Sequence, residues 1–135
     1  MCLYTNQILP IRARKDIICY KVLRPVLSYN TGFIIGKTVK FETPVTKTPV
    51  NVPGTLIAGR CFLHFPLYRN TLGALYSIDK GFIHTYTSIY VAERSFGRPF
   101  AIARCTIPKG TLYFISYDKV EICAERIILN HIIKK

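Results

Sequence analysis

Phe100-Ala101-Ile102-Ala103-Arg104-Cys105-Thr106-Ile107-Pro108-Lys109-Gly110-Thr111-Leu112-Tyr113-Phe114-Ile115-Ser116 is the stretch that decides the fold. Apart from Arg104, its first eight residues are small, β-branched or aromatic and read as a strand. Pro108-Lys109-Gly110 is turn chemistry, because Pro presets one backbone angle and Gly supplies another. Thr111 to Ser116 then returns as a second strand. A strand, a tight turn and a strand predict an antiparallel pair.

Working outward, Arg126 to Ile133 is a last strand rich in Ile, followed by Lys134-Lys135. Upstream, Gly81 to Tyr86 reads as a strand with Phe82, His84 and Tyr86 on one face and Ile83 and Thr85 on the other. Thr87 or Ser88 caps a helix whose Ile89, Ala92 and Phe96 share a stripe, and Gly97-Arg98-Pro99 stops it. Asn70 is expected to cap a second short helix from Thr71 to about Ile78, and Asp79-Lys80-Gly81 to turn after it. Ile17 to Leu23 is a buried strand, ended by Arg24-Pro25 because Pro cannot continue a central strand. Phe33 to Phe41 is another. Leu56 to Phe65 is one more, with Gly59-Arg60 as a bulge or turn inside it. The segment of about 42–54 holds three Pro and several Thr and is expected to be an extended loop, either a connection or an arm gripping a partner. The expectation is one α+β domain over residues 1–135, strand-rich, with a mostly antiparallel sheet and one or two short helices.

Half of the 135 residues are hydrophobic, which supports a sizeable core and argues against a disordered chain. Nineteen Lys and Arg against seven Asp and Glu give a net charge of +12. Such a charge attracts polyanions: nucleic acid, an acidic protein surface or an anionic small molecule. The plainer reading is that it keeps an apolar chain soluble. Five Cys without a Cys-x-x-Cys pair argue against both a disulfide framework and a zinc finger, and fit a reducing cytoplasm. No apolar run approaches the roughly 20 residues needed to span a bilayer, so no membrane partner is expected.

Gly36-Lys37-Thr38 has the end of a phosphate loop but lacks its first Gly, since position 31 is Thr. His64, His84 and His131 lie in apolar strand-like surroundings without metal-helix spacing, so no metal is expected. Arg12, Arg14, Lys15, Lys21 and Arg24 form one basic group; Arg94, Arg98, Arg104 and Lys109 form another. Tyr20, Phe96, Phe100 and Tyr113 are interleaved with them. Cations attract phosphates and aromatic faces stack on bases, so Arg12, Arg14, Lys15, Arg94, Arg98, Arg104 and Lys109 are candidate binding residues.

Three blocks carry a family resemblance. They are Tyr20-Lys21-Val22-Leu23-Arg24, Gly81-Phe82-Ile83-His84-Thr85-Tyr86-Thr87-Ser88 with its helix, and Cys105-Thr106-Ile107-Pro108-Lys109-Gly110-Thr111 followed by Glu121 and Glu125. Their order resembles the ADP-ribosyltransferase fold, and it is similar to small phage and Bacteroidales proteins with a Tyr-Lys-Val-Leu start. The resemblance implies NAD or a related nucleotide as cofactor. Arg24 or Lys21 would contact it, Thr87 and Ser88 would hold the central motif, and Glu125, or second to it Glu121, would be the catalytic acid. Tyr86 stands where the family has Ser, and the two Glu are four apart rather than two. Two functions thus remain. One is a basic, cytoplasmic interaction protein for an acidic partner or nucleic acid, with no cofactor, and phage-encoded as the resemblance to small phage proteins implies. The other is a divergent transferase-like domain with Arg24, Ser88 and Glu125 as its catalytic set.

Overall fold

The structure is a computed structural model that describes residues 2–28, 38–44, 46–57, 59–69, 71–72, 75–95 and 101–134. The elements run β1 (Cys2–Tyr4), β2 (Ile11–Arg12), β3 (Ile17–Ser28), β4 (Thr38–Glu42), β5 (Pro49–Val50), β6 (Gly54–Leu56), β7 (Cys61–Arg69), β8 (Leu75–Lys80), β9 (Ile83–Tyr86), α1 (Ile89–Ser95), β10 (Ala101–Ile107), β11 (Leu112–Ile115), β12 (Glu121–Ala124) and β13 (Ile127–Lys134). Strand predominates and the helical part is one short segment among the described residues, so the expected α+β domain is mostly β.

A ten-stranded sheet follows the order β2-β11-β12-β9-β3-β10-β13-β6, with β4 on β3 and β5 on β4. Every pairing in it is antiparallel. A second sheet has the order β1-β7-β8, with β1 parallel to β7. The main core lies on one face of the large sheet, where Cys19, Leu23, Ile83, Ala103, Cys105, Ile107, Ile122, Ala124, Ile127 and Leu129 cluster. On the other face, Leu3, Cys61, Leu63 and Phe65 of the small sheet pack on Phe114 and Cys123. Beside them, Ala92 of α1 packs on Val22, Tyr86 and Ile102.

The quoted strand explains this division. Ala103, Cys105 and Ile107 point into the main core at every second position, and Ala101 is buried in the same alternation. Ile102 is buried as well because α1 covers it, while Arg104 beyond the helix is exposed. Ser88 caps α1 as expected, its Oγ accepting the Tyr90 amide at 3.3 Å.

Several expectations give way to tertiary pairing. The helix foreseen from Thr71 to Ile78 is not formed: Leu75–Lys80 is strand β8, bonded to β7 in antiparallel register. Asp79 and Lys80 belong to that strand rather than to a turn, opposite Phe62 and Cys61. A short apolar stretch suits either period, and the neighbouring strand decides. Strand β3 does not stop at Arg24-Pro25. It changes neighbour there, from β10 at Leu23 to β4 at Arg24, and Pro25 lies opposite Phe41. Among the described residues β3 has only β4 beside it from that point. The missing amide of Pro25 is therefore tolerated, as at a sheet edge.

The Pro- and Thr-rich segment is not a plain loop. Thr43 accepts the Lys47 amide and donates its own to Thr48 carbonyl oxygen, which closes β4 on β5. Three threonine hydroxyls lace the turn, Thr43 to Thr46 at 2.6 Å and Thr46 to Thr48 at 3.0 Å. The expected strand from Leu56 to Phe65 is two strands in different sheets. Gly59 lies in the crossing between them, where an added Cβ would sit 2.7 Å from the Phe82 carbonyl oxygen. Of the expected strand from Phe33 to Phe41, residues 33–37 lie outside the described residues, as do Asn70, Phe96 and the Gly97-Arg98-Pro99 stop. Among the described residues no helix is long and apolar enough to cross a membrane.

Gly110 has φ of +88° and an added Cβ would touch nothing within 4 Å. Gly110→Ala is therefore expected to cost about 1 kcal/mol through backbone strain alone. A urea unfolding curve checks this: the midpoint should fall with the slope unchanged.

Candidate functional site

The turn after β10 and the segment after β2 are sewn together. The Ala13 amide donates to the Thr111 carbonyl at 2.8 Å, and the Gly110 amide to the Ala13 carbonyl at 2.8 Å. Arg12 Nη1 donates to the Gly110 carbonyl at 2.9 Å, and Asp16 Oδ1 accepts the Lys109 amide at 2.8 Å. Arg12, Arg14, Lys15 and Lys109, some 95 residues apart in the chain by the separations of these bonds (98 and 93), thus share one surface. All four are exposed.

Arg126 extends the patch, its Nε donating to Thr111 Oγ1 at 3.3 Å. Sequence reading placed Arg126 only at the head of the last strand. The signal that assigns it is the bond to Thr111, which no local pattern contains. Two carboxylates lie in the patch, and each is occupied by a backbone amide: Asp16 by Lys109, and Glu125 by Leu112 at 3.1 Å. Five cations remain turned to solvent on a rigid sheet end.

The second basic group is divided by the fold. Lys109 joins the first group. Arg94 sits exposed in the last turn of α1. Arg104 stands exposed on β10, between Tyr20 of β3 and His131 of β13. Arg98 lies outside the described residues.

The residues implied by the transferase resemblance have other partners. Arg24 Nε lies 4.0 Å from Glu42 Oε1, where β3 meets β4. Ser88 caps α1 just past the Tyr86 end of β9. Glu125 follows β12 at the Ala124 end. The β9–β12 ladder pairs Tyr86 with Glu121 and Ile83 with Ala124, so Ser88 and Glu125 flank its opposite ends. Four residue pairs at about 3.4 Å each stand between them. The register does not bring these two together. Glu121 is bonded instead to His84, Oε1 to Nε2 at 2.9 Å. A carboxylate can only accept, so Nε2 carries the proton. His84 is buried with its ring edge-on to Tyr86 at 4.8 Å. Burial holds its pKa below the ordinary value, against the pull of Glu121.

Lys21, the other basic residue of that block, is buried in the core face at 6% exposure, two positions from Cys19 and opposite Ala103. Desolvation brings its pKa down to about 8, partly offset by the thiols of Cys105, Cys61 and Cys19. Cys19 and Cys105 are direct cross-strand partners. The two adjoining thiols perturb each other, with the pKa of Cys19 lowered and that of Cys105 raised, while Cys105 Sγ donates to the Ala103 carbonyl at 3.4 Å. Cys61 and Cys123 form a second such pair, with Cys61 lowered and Cys123 raised. The four are buried free thiols, as expected of small apolar side chains. Among the described residues no three His, Cys, Asp or Glu side chains are placed to share a metal ion.

Lys21 should make stability depend on pH. The unfolded chain holds this proton up to the ordinary 10.5, whereas the folded chain releases it near 8. Stability therefore rises with pH across that window. Lys21→Met should be more stable than the parent by roughly 3 kcal/mol near pH 7, with the gap closing toward pH 10.5. Denaturant titrations of both proteins at pH 7, 9 and 10.5 measure it.

No family model, no curated protein and no solved structure matches this chain.

Proposed function

We propose that this chain is a basic, strand-built interaction module that binds an anionic partner, an acidic protein surface or nucleic acid, at the sheet end formed by Arg12, Arg14, Lys15, Lys109 and Arg126. The observation that carries this reading is the sewing of the Pro108–Thr111 turn to the Arg12–Asp16 segment by four hydrogen bonds. Backbone segments that carry cations from three parts of the chain are tied together, the Arg12 and Arg126 side chains are themselves bonded, and the carboxylates among them accept amides. Such preorganisation lowers the cost of ordering long side chains on binding. The net charge of +12 adds long-range attraction and speeds encounter.

A transferase-like activity is not the reading we adopt, because it needs Ser88 and Glu125 at one cleft and they flank opposite ends of a ladder. A reducing, cytoplasmic setting suits the four free thiols.

Anisotropy titrations with a labelled thymidine 12-mer and with polyglutamate test the proposal. R14E/K15E should weaken binding about tenfold or more and lower the salt slope for the single-stranded oligonucleotide by about 1.4, roughly 0.7 for each of two lost phosphate contacts. K40E/K47E, the same charge change at exposed residues of the β4–β5 hairpin, should cost much less. Equal losses in both variants would make the attraction a matter of net charge, and the patch would carry no special role.

A further inference from the structure

The chain just before the patch is held in an unusual way. Thr5 is buried, its Oγ1 donating to the Ile115 carbonyl at 2.7 Å and its amide to the His64 carbonyl at 2.9 Å. Gln7 then uses its side chain where a strand would use its backbone. Its Oε1 accepts the Ile115 amide at 3.0 Å, and its Nε2 donates to the Tyr113 and Leu9 carbonyls at 3.0 Å each. Backbone pairing to β11 resumes only at Ile11, opposite Tyr113. Between these anchors the chain stands off the sheet, and Ile8, Leu9 and Ile11 are 62%, 74% and 45% exposed.

Three large aliphatic side chains within four positions are therefore kept in water by a built support. Single exposed apolar residues are ordinary, but a contiguous group rimmed by polar ones marks an interface. Arg12 follows Ile11 on the edge strand β2 with its side chain on the opposite face, so the cations of the patch border the ridge across that edge. An apolar centre inside a charged rim is how protein–protein interfaces are laid out. Aliphatic side chains offer no π face for base stacking and no donor for phosphate, so nucleic acid would engage the cations and leave the ridge unused. A second copy of this chain brings another +12 and is repelled.

We propose that the ridge of Ile8, Leu9 and Ile11, together with the cations that follow it, is a single docking surface for an acidic protein segment that carries apolar side chains among its carboxylates. It rests on the reading of the basic patch as the partner-facing surface and narrows that partner to a class. The carboxylates meet Arg12, Arg14, Lys15 and Lys109, the apolar side chains cover Ile8 and Leu9, and the Gln7 bonds hold the ridge in place before the partner arrives.

The test is a selection from 12-residue peptides with Asp or Glu at half the positions and random residues elsewhere, run in parallel on the parent protein and on I8S/L9S. Both substituted side chains are exposed, so the melting temperature should not move. Leu, Ile, Phe and Tyr should be enriched at the free positions on the parent and not on the variant. The best parent peptide, synthesised and measured by anisotropy, should bind I8S/L9S about tenfold or more weakly. Peptides retained for their acids alone, equally by both proteins, would leave the patch standing and overturn the ridge. No retention of the acidic pool above a neutral pool would overturn the ridge and, with it, an acidic protein as the partner of the patch; loss of oligonucleotide binding as well would overturn the patch.

Discussion

Seven consecutive residue pairs join Ile17–Leu23 of β3 to Ile107–Ala101 of β10, and the rest of the molecule is positioned by that ladder. Near its middle Cys19 stands opposite Cys105 and Ala103 opposite Lys21, and Ile83 of the flanking strand β9 with Ile127 and Leu129 of the flanking strand β13 cluster with these cysteines and Ala103. Its outward residues at one end, Val22 and Ile102, receive α1. At its other end, the pair of Ile17 and Ile107 brings Asp16 beside Pro108-Lys109, and the Asp16 bond to the Lys109 amide fixes the turn. The basic surface is thus a consequence of where the ladder stops.

The same ladder carries a burden. Lys21 alternates onto the core face because its neighbours in the strand must, and a cation there is held at a cost in desolvation. The electrostatic pull of the neighbouring Cys105, Cys61 and Cys19 offsets part of that cost. His84 and Glu121 meet the same difficulty on the opposite face with a direct hydrogen bond. These buried polar groups account for much of what looked chemically active in the sequence. They serve the packing of the small sheet and a helix on one large sheet.

The surface has a different logic. Gln7, Asp16 and Glu125 are polar residues whose side chains stand in for missing backbone partners at the edges of β11 and at the β10 turn. Satisfying those amides and carbonyls locally is what lets the edge strand β2 be only two residues long. A short edge with cations nearby resists pairing with other chains along its backbone, which leaves side-chain recognition as the means of contact.

The sequence by itself determined the local elements whose pattern has one reading. The strand Ala101–Ile107, its Gly110 turn, the return Leu112–Ile115, the alternation of Ile83 to Tyr86 and the Ser88-capped helix were all legible, because side-chain period and turn chemistry are short-range. So were the mostly antiparallel pairing and the burial of Cys19, Cys61, Cys105 and Cys123. The remainder came from contacts between distant segments. Tertiary pairing made Leu75–Lys80 a strand where the apolar spacing also suited a helix, because β7 offered a ladder. It carried β3 past Pro25 by changing the neighbour, and it made a strand of Glu121–Ala124 between β11 and β9. It parted Ser88 from Glu125 and joined Arg12 to Lys109. Those outcomes depend on register between segments tens of residues apart, and a register is set by whole faces meeting, which no single stretch of chain contains.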